Sequence, residues 1–94
     1  MNIESINLRK CTIERLSEDA KNFVTKDLYD SSEKVVFLTG KQRMFYSDYQ
    51  VGDTIYTAKN VKGEWKLITE TNFKMNSFLH DNKIQLDKYF EDQA

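Results

Sequence analysis

β-Prone runs separated by short turn signals dominate residues 34–75. Val35, Val36, Phe37 and Leu38 form the first run, Met44, Phe45 and Tyr46 the second, Thr54, Ile55, Tyr56 and Thr57 the third, and Trp65, Lys66, Leu67 and Ile68 the fourth. Between them stand Thr39-Gly40-Lys41-Gln42, Val51-Gly52-Asp53 and Asn60-Val61-Lys62-Gly63. Branched and aromatic side chains suit a pleated, half-buried surface, while Gly, Asn and Asp suit the turns between strands. No gap is long enough for a regular helix, so the pattern predicts an antiparallel meander or a small closed barrel. The run 35–38 is apolar on both faces and reads as a central strand covered on both sides. Gly40 allows a tight turn into a strand over 43–46. Residues 60–63 read as a hairpin loop with Gly63 at positive φ. Trp65, Leu67 and Thr69 then alternate with Lys66, Ile68 and Glu70, and Phe73 and Met75 prolong that strand.

The flanks are less regular. Residues 5–16 read as a strand in which Cys11 and Ile13 share a face. Residues 17–30 carry two patterns. Ser17 followed by Glu18 and Asp19 has the form of a helix cap with acids in the first turn, and Leu16, Ala20, Phe23, Val24 and Leu28 follow at helical spacing. The same stretch reads as a polar turn over 17–22 and a strand over 23–29, which completes a five-strand count and is preferred. A short C-terminal helix over 84–92 would use Leu86, Tyr89 and Phe90, with residues 91–94 frayed. The fold class expected is mainly β: a small five-stranded antiparallel barrel or meander, with short helices at 17–30 and at the C-terminus as options. The alternative is α+β, with an N-terminal helix packed on an antiparallel sheet.

Length and composition narrow the class. The 94 residues suffice for one domain over 1–94, with 76–94 as a partly helical extension. An apolar fraction of 39% supports a core, so the chain is not read as disordered. No uninterrupted apolar run is long enough to span a membrane, and Met1-Asn2-Ile3-Glu4-Ser5 lacks the basic-then-apolar form of a secretory signal. Cys11 is the sole cysteine, which excludes an internal disulfide and fits a reducing compartment. A soluble intracellular protein is expected, cytoplasmic, or nuclear if eukaryotic. The net charge of −1 is unevenly spread: residues 1–33 carry −2, residues 34–74 carry +3 and residues 75–94 carry −2. The β-rich centre is therefore mildly basic between acidic ends.

That charge concentrates interest on one hairpin. Lys59, Lys62 and Lys66 surround Trp65, and a single-strand binder needs cations for phosphates and flat side chains for bases. Lys41 and Arg43 on the neighbouring turn, with Tyr46 and Tyr56 on strands, extend the candidate nucleic-acid surface. The competing reading makes Trp65 a core anchor and the lysines ordinary solvated charge. Tyr46, Tyr49 and Tyr56 are likewise more often half-buried core than platform. His80, the only histidine, reads as an exposed loop residue, and Cys11 as a small buried hydrophobe. One Cys and one His do not make a zinc site, the acids at 27, 30 and 33 lack the spacing and glycine of a calcium loop, and no glycine-rich phosphate loop is present. No metal, no cofactor and no enzymatic activity are expected.

The succession Cys11 to Leu16, Phe23 to Tyr29, Lys34 to Tyr46, Val51-Gly52-Asp53-Thr54-Ile55-Tyr56 and Trp65 to Ile68 resembles the oligonucleotide/oligosaccharide-binding (OB) fold over roughly residues 8–75. The Val-Gly-Asp turn before the fourth strand is part of that likeness. The resemblance implies a ligand surface on the second and third strands, flanked by loops at 17–22 and 59–64. Many such domains place a helix before the fourth strand, and the span between Tyr46 and Thr54 predicts none here. Two functions follow. The first is a module for single-stranded nucleic acid. The second is a protein-interaction module, a complex subunit, small inhibitor or homo-oligomer, that presents an exposed strand at 44–46 or 54–57, or the acidic ends, to its partner.

Overall fold

Residues 6–93 are described by the computed structural model of the chain. The elements follow in the order β1 (Leu8–Leu16), β2 (Asn22–Asp27), β3 (Glu33–Phe37), α1 (Gly40–Arg43), a 3-10 turn (Tyr46–Asp48), β4 (Thr54–Lys59), β5 (Trp65–Ile68), α2 (Glu70–Met75) and α3 (Ser77–Gln93). The strands close into a barrel in the order β1-β2-β3-β5-β4, with β4 returning to β1. The mainly β class, the five-strand count and the C-terminal helix are as the pattern predicts.

The purely antiparallel expectation is corrected. β3 and β5 pair in parallel, through Val36↔Trp65 and Phe37↔Lys66, while the other four contacts are antiparallel. The reason is parity: strands around a closed ring of five cannot alternate direction throughout, so one contact must be parallel. β1 belongs to both halves of the ring. It pairs with β2 and β4, and its register shifts between Ile13 and Arg15, the kind of bulge that bends a strand around a barrel corner.

Residues 17–30 form the turn and strand, not the helix. The Ser17 hydroxyl accepts from the amides of Lys21 and Asn22, so the capping group serves a turn. β2 stops at Asp27, and the expected strand positions 28 and 29 lie in the next turn. β1 starts at Leu8; Ser5 and Ala94, included in two of the expected elements, lie outside the described residues.

The strand expected at 43–46 is absent. Thr39 and Gln42 instead form a reciprocal capping box that starts α1. Met44 and Phe45 are exposed at 77% and 54%, so this apolar run has no buried face to hold a strand. The following 3-10 turn lays Tyr46 and Tyr49 on Phe23, with ring centroids 5.5 and 5.1 Å apart, and closes that end of the barrel. A helical segment thus does stand between the third and fourth strands, earlier than the span from Tyr46 to Thr54. β3 is not covered on both faces either: Val36 is fully buried, but Val35 is 43% exposed.

Past β5, a second capping box at Thr69 and Asn72 begins α2, so Phe73 and Met75 are helical rather than an extension of the strand. α3 begins well before residue 84, runs through the tail to Gln93 and carries His80 on its exposed surface. The apolar packing falls into two clusters. Cys11, Ile13, Phe23, Val36, Leu38, Ile55 and Leu67 fill the barrel. Ile6, Leu8, Phe73 and Leu86, with Tyr56, Ala58 and Ile68 at their edge, pack α2 and α3 onto the outside of β1, β4 and β5. Asp87 fastens α3 there, accepting from the Tyr56 hydroxyl, Lys10 Nζ and Lys83 Nζ. Tyr56 and Thr57 of β4 pair with β1 on one side and β5 on the other and offer no free edge, whereas Thr54 and Ile55 pair with β1 alone. Among the described residues no helix is long and apolar enough to cross a membrane.

Candidate functional site

Strand alternation sends positions 9, 11 and 13 of β1, 23, 25 and 27 of β2, 34 and 36 of β3, 55, 57 and 59 of β4, and 65 and 67 of β5 to the inner face. At the α1 end and through the middle these positions are apolar or small, including Ile13, Phe23, Cys11, Thr25, Val36 and Thr57. The two threonine hydroxyls are satisfied by strand carbonyls, Thr25 donating to Lys34 O and Thr57 to Lys66 O. At the opposite end the inner layer becomes Arg9, Asp27, Lys34, Lys59 and Trp65. One end of the barrel is sealed by aromatic rings, and the other is a charged mouth around an indole.

Asp27 organises that mouth. Its carboxylate accepts from Arg9 Nε at 2.7 Å, Arg9 Nη2 at 3.1 Å and the Tyr29 amide at 2.7 Å, and pairs with Lys34 Nζ at 3.1 Å. Burial alone would raise its pKa, but the Arg9 guanidinium, the Tyr29 amide and Lys34 together bring it down to about 2. The same hydrogen bond, against the opposing effect of burial, holds Arg9 above its ordinary value. Lys34 Nζ lies 5.0 Å and Lys59 Nζ 5.9 Å from the centre of the half-buried Trp65 ring. Arg9, Lys34, Lys59 and Trp65, with Asn7 and Asp30, line an open depression of about 310 Å³.

Next to the mouth, the outer face of β3 and the start of β5 contributes nothing to the cluster under α2 and α3, which takes only Ile68 from these two strands. Lys66 Nζ sits 5.6 Å from the Phe37 ring centre, and the exposed Val35 lies two residues along β3. The loops at 17–22 and 59–64 join strands at opposite ends of the barrel and so bracket this face. The second is a tight hairpin: Asn60 Oδ1 accepts from the Lys62 and Glu64 amides, and Gly63 takes φ +85°.

The residues singled out from the sequence are thereby divided. Lys59, Trp65 and Lys66 stand together at the mouth and its flank, with Lys62 exposed at the hairpin tip. Lys41 and Arg43 lie on α1 at the sealed end, where Arg43 donates to the carbonyls of Asp19 and Ala20. Tyr46 packs on Phe23 and donates to Ser17 O. Tyr56 lies under α3, its ring edge-on to Phe73 and its hydroxyl on Asp87, where burial and that carboxylate push its pKa upward. The structure therefore does not bring these four to the mouth. It adds Arg9, Asp27, Lys34 and Phe37, none of them among the residues chosen from the sequence for the nucleic-acid surface, although Phe37 lies on the third strand that the OB resemblance implicates. For Arg9, Asp27 and Lys34 the signal was available as charged residues on the inward phase at strand ends, but it requires the strand order to interpret; Phe37 faces outward and carries no such signal. Among the described residues no group of acids, Cys and His could hold a metal ion.

No protein-family model matches the chain, and no curated protein sequence matches it. Solved structures do. A domain of a protein described as penicillin-binding protein MrcA from Nitrosomonas europaea matches with a TM-score of 0.55 and 11% identity, covering 67% of each chain. YjeQ from Thermotoga maritima matches with a TM-score of 0.51 and 16% identity, covering 66% of this chain and 22% of its own. The chain thus corresponds to less than a quarter of YjeQ. At these identities the likeness concerns the fold. With the strand order above, it is compatible with an OB-like small barrel.

Proposed function

We propose that this barrel binds single-stranded nucleic acid along the β3–β5 seam and the adjoining mouth. The observation that carries the reading is the pairing of rings and cations there: Trp65 lies beneath Lys34 and Lys59, and Phe37 beneath Lys66. A strand offers the complementary sequence of flat bases and phosphates, and a base stacked on an aromatic side chain contributes about 1–3 kcal/mol. Lys59, Lys62 and Lys66 form no ion pair among the described residues and are available to phosphate.

Fluorescence anisotropy with labelled oligothymidylate and oligouridylate at two salt concentrations tests this. Three phosphate contacts give a log–log salt slope of roughly −2 on single strands, and the Lys59→Ala/Lys66→Ala double variant lowers its magnitude by about 1.4. Trp65→Ala weakens affinity by roughly 5- to 150-fold, with circular dichroism checking that the barrel persists. No anisotropy change with either strand at low salt refutes the proposal.

A second reading, protein interaction, draws on the sealed end, where the neighbouring Met44 and Phe45 are 77% and 54% exposed. Large apolar side chains exposed close together mark protein-binding surfaces. A Met44→Ser/Phe45→Ser variant that loses self-association in sedimentation velocity, with strand binding unchanged, would support it.

A further inference from the structure

We infer that the mouth of the barrel takes a single guanine base, an assignment that rests on the strand-binding reading and names the base it reads. The starting point is an acid among the lysines, where phosphate binding has no use for one. Asp30 lines the same depression as Lys34, Lys59 and Trp65, and its side chain is half exposed. Its Oδ2 lies 3.8 Å from Arg9 Nη2. Arg9 is held from behind by Asp27 through Nε and Nη2, and Nη1 is the guanidinium nitrogen engaged by neither carboxylate. The depression thus sets a fixed donor and a carboxylate acceptor side by side, next to an indole wall.

Guanine presents the complementary edge: the O6 acceptor beside the N1–H and N2–H donors. It is the one common base with two adjacent N–H donors on separate atoms, and so the one that engages both oxygens of a carboxylate. Asp30 Oδ1 already accepts from the Ser32 amide, but a carboxylate has lone pairs to spare for a second donor on each oxygen. Arg9 then donates to O6, a contact arginine makes with guanine in many settings. Adenine and cytosine offer this carboxylate one amino group, and uracil and thymine one imino group.

The ring wall fits the same ligand. Lys34 is anchored by Asp27 and by the Ser32 hydroxyl, whereas Lys59 makes no ion pair among the described residues. A base stacked on an aromatic ring is worth more than an exposed lysine–ring contact, so Lys59 yields its place on Trp65 and turns to the adjoining phosphate. A volume of about 310 Å³ stands at the low end of small-molecule pockets, which suits one base rather than a folded ligand.

Asp30 also shapes its turn through Ser32, and Asn can accept that bond as well, so Asp30→Asn removes the charge while keeping the turn. The test uses the full chain and a labelled oligothymidylate of about twelve nucleotides, within the span one such barrel covers. One central position carries guanine, hypoxanthine, adenine or cytosine. The guanine strand binds roughly five- to tenfold more tightly than the hypoxanthine strand, which lacks only the 2-amino group, and Asp30→Asn reduces that ratio to below about twofold. Equal affinity for all four strands, or a guanine preference that survives Asp30→Asn, overturns the inference and leaves strand binding standing. Absence of binding to every strand at low salt overturns both. Guanosine monophosphate is the competitor arm: displacement at concentrations equal to those of the guanine strand keeps the guanine site and overturns the strand as its source.

Discussion

Replacing Asp27 with Asn tests whether the charged mouth is a stabilised ion cluster or a tolerated one. The carboxylate has no exposed side-chain surface and is held by Arg9, Lys34 and the Tyr29 amide. Its pKa falls from 3.8 unfolded to about 2 folded. At 1.36 kcal/mol per pKa unit, that difference contributes about 2 kcal/mol of stability at neutral pH. Losing Asp27 also leaves the Arg9 guanidinium buried against a neutral amide, and breaking a buried pair from one side costs about 3–5 kcal/mol. We therefore expect Asp27→Asn to lose between about 2 and 5 kcal/mol at pH 7, a large part of the roughly 5–15 kcal/mol typical of a domain. The direction with pH follows from a depressed folded pKa. The contribution is complete well above 3.8 and is lost as pH falls toward 2, because the unfolded chain takes up its proton first. Urea unfolding of the wild type and the variant, read by Trp65 fluorescence at pH 7 and pH 2.5, measures the gap directly. Comparing the two proteins cancels the titration of the other carboxylates. The gap should shrink by about 1.5 kcal/mol between the two pH values. A variant within about 0.5 kcal/mol of wild type at pH 7, within the range of an inconsequential surface change, or a gap that does not change with pH, would refute this account of the mouth.

Other elements carry their own tests. Gly63→Ala forces a side chain onto φ +85°, where the space is open apart from ordinary contact with Lys59 Cε, so the cost is conformational, about 1 kcal/mol of unfolding free energy measured by urea titration. Cys11 is fully buried and its thiol is pushed up to about 11, chiefly by burial, so a thiol reagent at pH 8 should react only at the rate of unfolding; prompt labelling of the folded protein would contradict its place in the core. Leu86→Ala empties the most buried position of α3 and should cost about 2–5 kcal/mol, measured as a fall in the thermal midpoint. A smaller loss would mean that α3 is only loosely seated on β1 and β4.

The strands were legible where a local pattern and a buried face coincided. Cys11 and Ile13, Ile55 and Thr57, and Leu67 all fall on the inward phase that period-two alternation assigns. The hairpin loop was legible because Asn60 and Gly63 have a backbone reason to be there. Two errors share a cause. Residues 43–46 and 73–75 are rich in aromatics and methionine, so they read as strand, yet each follows a Thr with Gln or Asn three residues on, the signal that starts a helix. In both segments the cap outweighs the strand-like composition.

From the chain alone came a mainly β domain of five strands, its turns, its buried cysteine and a lysine-rich hairpin around one tryptophan, because alternation, turn chemistry and charge are local properties. The closed order β1-β2-β3-β5-β4 came only with tertiary structure, since the parallel β3–β5 contact joins segments that no hairpin connects. That contact also decides the site. It brings Lys34 to Trp65 and Phe37 to Lys66, and it leaves Arg43, Tyr46 and Tyr56 elsewhere, because position around a ring depends on the neighbouring strand and not on distance along the sequence.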